Sequence, residues 1–342
     1  MTGEKSKIEN LKSKMKSDPL SWLLEPDNPS VRYFALRDLL GESEKDREVR
    51  AAKSAIMQSE PVKKILAAQK PEGYWVKPGN GYSPKYKSTA WQILFLAELG
   101  ADGGDPSTSS GQVQRGCEYL LTHAPASHGG FSAMANAVPS GAIHCLNGNL
   151  IWALVALGYT DDARVRRAAD WLAGAITGDD FDAFNSLVPG PGFKCGANMK
   201  QPCAWGAVKS LRALAALPKQ WRDTRVKKAT TMAAEFLLSR DLAKADYPHT
   251  ARVSGEWFKF GFPLSYTSDV LEALLALTDA GYGGDPRLKN AIDLVLSKQD
   301  DAGRWAMKHS LNGKTWADIE VKGKPSKWVT LRAMKVLAKC KS

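Results

Sequence analysis

The stretch Ser88-Thr-Ala-Trp91-Gln-Ile-Leu-Phe-Leu-Ala-Glu-Leu-Gly100 decides the fold. It is apolar on all sides, and helices apolar all round belong in an interior rather than on a surface. It stops at glycine, the residue that relieves the left-handed cap of a helix. Five further stretches carry the same pattern: 29–41, 144–158, 203–218, 266–281 and 327–340. In chain order the first five stop at Gly41, Gly100, Gly158, Pro218 and Gly281, which lie 59, 58, 60 and 63 positions apart. After these stops come a short polar link and a second, amphipathic helix, as at 162–175, 224–240 and 286–298. In the last of these Leu288, Ile292, Val295 and Leu296 share one face, with Arg287, Lys289 and Asp293 elsewhere. A sustained period of this length marks a repeat of helix pairs, and no alternating strand is visible. Apolar helices inside and amphipathic helices outside predict an all-α chain, an (α/α)6 toroid or barrel of six helical hairpins. It is read as a single domain over residues 19–342, preceded by a basic N-terminal helix or frayed tail at 1–18.

The bulk numbers agree with that reading. The chain has 342 residues, 44% of them hydrophobic, enough for a sizeable core. Its formal net charge is +11, which reads as a basic solvated surface; Lys5, Lys7, Lys12, Lys14 and Lys16 concentrate at the N-terminus, and no nucleic-acid-binding motif is present. No apolar run reaches the roughly 18 residues of a membrane span, and the first seventeen residues are too polar for a signal peptide. A cytoplasmic protein is expected, with the oligomeric state open. Five cysteines in such a chain suggest thiols or metal ligands rather than a disulfide framework. Phosphate-loop, dinucleotide, nucleophile-elbow and HExxH motifs are all missing, so no nucleotide cofactor is expected.

Two stretches, Gln69-Lys-Pro-Glu-Gly73-Tyr-Trp75 and Gln299-Asp-Asp-Ala-Gly303-Arg-Trp305, share the form Gln-x3-Gly-x-Trp after an outer helix. The form resembles the repeat of squalene and terpene cyclases and of protein prenyltransferase β-subunits. The chain as a whole, over residues 20–340, resembles a bacterial and archaeal group of stand-alone prenyltransferase-like toroids. The carrying stretches are Leu24 to Tyr33, Cys145-Leu-Asn-Gly-Asn149, Phe260-Gly-Phe-Pro-Leu264, Ser297 to Trp305 and Gly323-Lys-Pro-Ser-Lys-Trp328. The resemblance implies the toroid and a central cavity. It does not carry an activity across, because the group is known by its fold. Squalene-type cyclases protonate substrate from Asp-x-Asp-Asp; the nearest string here, Asp179-Asp-Phe-Asp182, follows an outer helix and reads as a solvated acidic turn. Prenyltransferases hold zinc through an Asp-x-Cys pair, which this sequence lacks.

In a toroid the N-termini of the inner helices converge, and their free N–H groups favour anions and thiolates. The residues at those starts are polar and aromatic where packing alone would prefer Leu or Ala. Trp91, Trp205, Trp328, Asn149 and Arg32 are therefore expected to bind a substrate in a shared pocket, with Tyr266. Cys145 and Cys203 occupy matching places in the third and fourth repeats, and Cys195 lies eight residues before Cys203. With His144, or with His128, His249 or a water in its place, they would make a zinc-like site; small buried core residues or a disulfide or redox pair are the alternatives. Adjacent helical residues point about 100° apart, so His144 and Cys145 compete for that role. The aromatic segment from Tyr247 to Pro263 reads either as a lid or cavity wall or as packing of the barrel rim. His249 in it, with Asp269, suggests a base and its orienter, and Tyr266 is the third catalytic candidate.

The sequence thus points to a zinc-dependent enzyme acting on a small, partly apolar molecule by lyase, transferase or cyclase chemistry. A binding protein for a lipid or isoprenoid and a helical-repeat scaffold for protein partners are the rival readings.

Overall fold

The computed structural model describes residues 17–102, 110–138, 141–179, 192–248 and 255–340. The basic segment 1–16, the acidic string from Asp180 to Asp182 and His249 lie outside them. Helix α1 is Leu20–Leu23, and α2 is Pro29–Phe34 continued as a π-helical turn, Ala35–Leu39. Then come α3 (Arg47–Ile56), α4 (Glu60–Ala67), α5 (Thr89–Glu98), α6 (Ser110–His123), α7 (His144–Ala156) and α8 (Ala163–Thr177). The rest are α9 (Ala204–Ala216), α10 (Thr224–Leu238), α11 (Val270–Asp279), α12 (Lys289–Ser297) and α13 (Lys327–Lys339). The regular strand among the described residues is one short parallel pair, β1 (Gly261–Phe262) with β2 (His309–Ser310).

Helices α2, α5, α7, α9, α11 and α13 form the inner ring. Each packs on the next, and α13 returns to α2; the Phe34 ring against Gly100 links α2 with α5. All ten residues of α5 are buried, which is why that stretch read as apolar on every side. Five inner helices are followed by outer ones. The last, α13, is instead met by α1, so the described residues show an α/α toroid without a sixth complete hairpin. Among them no helix is long and apolar enough to cross a membrane.

Local sequence explains the helix ends. Asp46, Asp162, Asp223 and Ser326 accept hydrogen bonds from the first free N–H groups of α3, α8, α10 and α13. Gly100 and Gly281 close α5 and α11 at φ of 74° and 96°, a region that other residues enter with strain. The two Gln-x3-Gly-x-Trp turns prove to be one device used twice. The indole N–H of Trp75 donates to the Ile65 carbonyl and that of Trp305 to the Val295 carbonyl, both at 2.7 Å. The backbone N–H of each tryptophan donates to a threonine on an inner helix, Thr89 or Thr330. Gln69 and Gln299 each close their turn on the glycine carbonyl at 3.1 Å. An outer helix is thereby fastened to an inner one through a buried tryptophan.

The interior is not wholly apolar. Lys209 on α9 and Glu272 on α11, both fully buried, meet at 2.6 Å to each carboxylate oxygen. Arg212 joins Glu272 (3.5 Å) to Glu98 on α5 (2.6 Å). Arg332 on α13 pairs with Asp269 at 3.1 Å. Burial works against a charge on Glu272, but Lys209, Arg212 and Arg332 together hold its carboxyl below the usual range.

Helices α7 and α9 approach closely because Gly148 has no side chain. A methyl group there would stand 2.4 Å from the Lys209 carbonyl carbon, well inside van der Waals contact. Gly148→Ala should therefore cost about 2 kcal/mol or more by overpacking. Urea unfolding of the variant beside the wild type measures it, and equal midpoints would show that the helices part without penalty.

Candidate functional site

The two ends of the barrel differ. Links at the C-terminal ends of the inner helices are short, such as 157–162 and 280–285, whereas those before the N-terminal ends are long, such as 68–88 and 298–326. Binding and catalytic groups favour long loops on a rigid scaffold, and the N-terminal mouth holds most of the chemistry.

An aromatic cluster lines that mouth. Tyr266 stands 6.2 Å from Trp91 and 6.0 Å from Trp205, edge-on to both, and stacks with Tyr86 at 6.4 Å. Three of the four rings expected to share a pocket are therefore together. The fourth, Trp328, lies elsewhere: it stacks flat on Phe262 at 3.9 Å and lines a separate cavity. The parallel pairing of β1 with β2 delivers Phe262 to it. Trp91 is held by an indole hydrogen bond to the Tyr82 carbonyl.

Tyr86 was not foreseen from the sequence. Its backbone has a φ of 68°, a left-handed conformation that is costly for an aromatic residue and that concentrates at functional sites. The buried side chain of Gln92 on α5 holds it there by donating to the Tyr86 carbonyl at 2.8 Å. Burial first, then the hydrogen bond with Tyr266 and the charge of Glu256, raise the Tyr86 phenol above its ordinary value. Lys85 lies 4.0 Å over the Tyr266 ring.

Beside this pair lies a small cleft that includes Glu256, Lys259, Ser268, Asp269 and His309. His309 Nε2 is 3.6 Å from Glu256. Burial lowers the His309 pKa, with Glu256 and Asp269 opposing. The Ser268 hydroxyl is buried with no hydrogen-bond partner among the described residues. Asp269, expected to orient a histidine base, is engaged otherwise: it caps α11 through the Glu272 N–H at 2.7 Å, accepts from the Gly261 N–H and pairs with Arg332. It lines the cleft with a carboxylate already committed to the fold. The expected base His249 lies outside the described residues. The histidine brought to the mouth is His309, which no periodic pattern marks.

Two expected substrate contacts also bond within the protein. Asn149 donates to the Ser265 carbonyl at 2.9 Å, while its Oδ1 is buried with no partner among the described residues. Arg32 donates to the Leu24 carbonyl and to Glu48 on α3, fastening α2 outward. Tyr247 and Trp257 are buried, their polar atoms bonded to the Leu237 and Leu242 carbonyls, so this part of the aromatic loop packs the rim.

The cysteines do gather at the mouth, but not as a metal centre with His144. Among the described residues no group of three or more His, Cys, Asp or Glu is placed to hold a metal ion. The His144 ring turns away into an apolar slot, 5.5 Å from Phe193 and 6.4 Å from Trp171. Burial pulls its pKa down to about 4, against a hydrogen bond to the Ala175 backbone. The rotation of neighbouring residues about the helix axis separates it from Cys145. Among the described residues zinc thus has no complete ligand set, and no step is assigned to it. Cys195 and Cys203 instead act on each other's protonation. Cys203, then the N–H groups of Ala197 and Asn198, lowers the Cys195 pKa to about 6 despite burial. Cys145 nearby is pushed up to about 12, by burial and then by Cys195.

No family model and no curated protein sequence matches the chain. Solved structures do. An unsaturated glucuronyl hydrolase specific for heparin is 12% identical over 94% of this chain and 86% of that one, with a TM-score of 0.50. A cellobiose 2-epimerase from Bacillus thermoamylovorans is 12% identical over 75% and 74%, at 0.47. The type II terpene cyclase MstE from Scytonema is 16% identical over 84% and 97%, at 0.33. At these identities the likeness establishes the α/α-toroid fold and nothing finer.

Two measurements test this description. Iodoacetamide should modify Cys195 first, with a rate profile inflecting near pH 6, and Cys203→Ala should move the inflection upward. An inflection near the roughly 8.5 of an ordinary thiol would contradict the pair. His144 stays neutral in the fold, whereas the unfolded chain takes up its proton below 6.5. The unfolded state then binds more protons between 6.5 and about 4, so stability falls as pH falls through that window. His144→Gln should flatten the pH dependence of Tm there; an unchanged slope would place His144 in water.

Proposed function

We propose that this protein is an enzyme that carries out acid–base chemistry on a small, partly apolar molecule at the N-terminal mouth of the toroid. The observation that carries the reading is Tyr86, held in a strained backbone by Gln92 and stacked with Tyr266 beside the Glu256–His309 pair.

The environment assigns the two roles by pushing the pKa values apart. Tyr86, raised, keeps its proton and acts as the acid, giving a hydrogen bond or a proton to an oxygen of the substrate. His309, lowered, is neutral near pH 7 and accepts a proton, with Glu256 orienting its ring. Trp91, Trp205 and Tyr266 offer faces for an apolar or ring-shaped body. Removing a proton from one carbon while protonating a departing oxygen is lyase chemistry; the same acid and base serve transfer to or from a hydroxyl. The three solved relatives are an epimerase, a hydrolase and a cyclase by their descriptions, which fits a toroid used for small-molecule chemistry.

The test is product detection by mass spectrometry with unsaturated uronides, aryl glycosides and isoprenyl diphosphates, on wild type, Tyr86→Phe and His309→Gln. Turnover of one class should drop about 10²–10⁴-fold in each variant, the usual worth of a general acid or base. It should also decline on acidification as His309 becomes charged. Turnover surviving both substitutions would refute the assignment. Tight binding without turnover would make the chain a binding protein instead.

A further inference from the structure

A second cavity, of about 310 Å³, the size of a small-molecule site, runs from the C-terminal ends of α5, α7 and α11 to Trp328 in the first turn of α13. It takes no part in the acid–base chemistry proposed for the mouth. Its walls are Phe34 of α2, Trp152 of α7 and Trp328 of α13, with Phe262 stacked flat behind Trp328.

Five basic and two acidic side chains line it. Both acids already have partners within the protein: Glu98 pairs with Arg212 at 2.6 Å, and Asp279 pairs with Lys339. The rings of Trp152 and Phe34 are each met by a protein cation, and Trp328 is backed by Phe262. The Arg212 guanidinium lies 3.5 Å from the Trp152 ring, and that of Arg37 lies 5.0 Å from Phe34. A cationic ligand would therefore meet like charge on every side.

Lys53 is the exception among the basic groups. Its ammonium donates to the Gly100 carbonyl at 2.9 Å and lies 5.0 Å over Tyr33. Among the described residues no carboxylate comes within ion-pair distance of it. Two more donors belong to side chains of this cavity. The Trp328 indole N–H and the Arg332 Nε are buried without a hydrogen-bond partner among the described residues, a cost that proteins seldom leave uncompensated. An apolar wall, a surplus of positive charge and an available ammonium together select an anion with a flat apolar body.

We propose that this cavity is a second binding site, for a small aromatic carboxylate whose ring lies along Phe34 and Trp328 and whose carboxylate meets Lys53. The site is distinct from the N-terminal mouth, and its test reads binding alone, so the acid–base reading stands or falls separately.

The experiment is isothermal titration calorimetry of the full chain with 2-naphthoate and with its neutral analogue 2-naphthalenemethanol. Naphthoate should bind one per chain, and the alcohol about tenfold or more weaker, the worth of one charge-assisted contact. Lys53→Met should weaken naphthoate by a similar factor and leave the alcohol unchanged. Ala156, an exposed residue on the cavity wall, offers a variant that leaves the core untouched: Ala156→Phe should obstruct both probes. Tyr86→Phe, at the mouth, should bind naphthoate like the wild type. Equal affinity for acid and alcohol, wild-type affinity in both Lys53→Met and Ala156→Phe, or no binding of naphthoate would each overturn the proposal.

Discussion

Everything else in this toroid is arranged around the charges buried along its axis. Lys209 and Glu272 have no contact with water, so each must find its whole compensation in the other and in Arg212. In such a setting the loss of one partner leaves an unmatched charge, at a cost of about 3–5 kcal/mol. The ladder runs from Glu98 on α5 through Arg212 and Lys209 on α9 to Glu272 on α11, and Asp269 carries it on to Arg332 of α13. Four of the six inner helices are thus fixed at heights where their charges meet. Gly148 adds the steric half of the constraint by letting α7 press against the backbone that carries Lys209. A ring of apolar helices alone could slide or rotate with little penalty, and this one is pinned.

Pinned helices make the mouth a place where strain can be kept. Gln92 sits on fully buried α5 and holds the Tyr86 carbonyl, so the left-handed backbone at Tyr86 is paid for by a rigid element rather than by its own loop. Asp269 works in the same way: it caps α11, anchors Gly261 and takes charge from Arg332, and so sets the strand that lies against His309. The residues offered to a substrate are few, and each stands on a group already committed to the fold.

The fold was legible in the sequence because its cause is periodic. Apolar inner helices and left-handed glycine stops recur about every sixty residues, and each acts locally. Trp91, Trp205 and Tyr266 were legible too, since a common offset from the helix start becomes a common position in the ring. The rest depends on loops. Tyr86, Glu256 and His309 meet through long connections of unequal length, and no spacing in the chain encodes that meeting. The tyrosine-rich run Tyr82-Ser-Pro-Lys-Tyr86 just before an inner helix was the one available sign. Trp328 shares the offset of the other tryptophans yet faces another cavity, because a two-residue strand pairing brings Phe262 beneath it. His144 and Cys145 show the opposite case: the 100° step between them was visible, and it sends the histidine into packing and leaves the cysteine near the thiol pair.

The buried ladder has a consequence for unfolding. Lys209 and Glu272 are out of reach of water, so neither α9 nor α11 can leave its place while both stay charged without unmatching an ion. The same move would strip Arg212 from Glu98 and Glu272. The inner helices are therefore tied into one cooperative unit, and the ring comes apart as a whole rather than helix by helix.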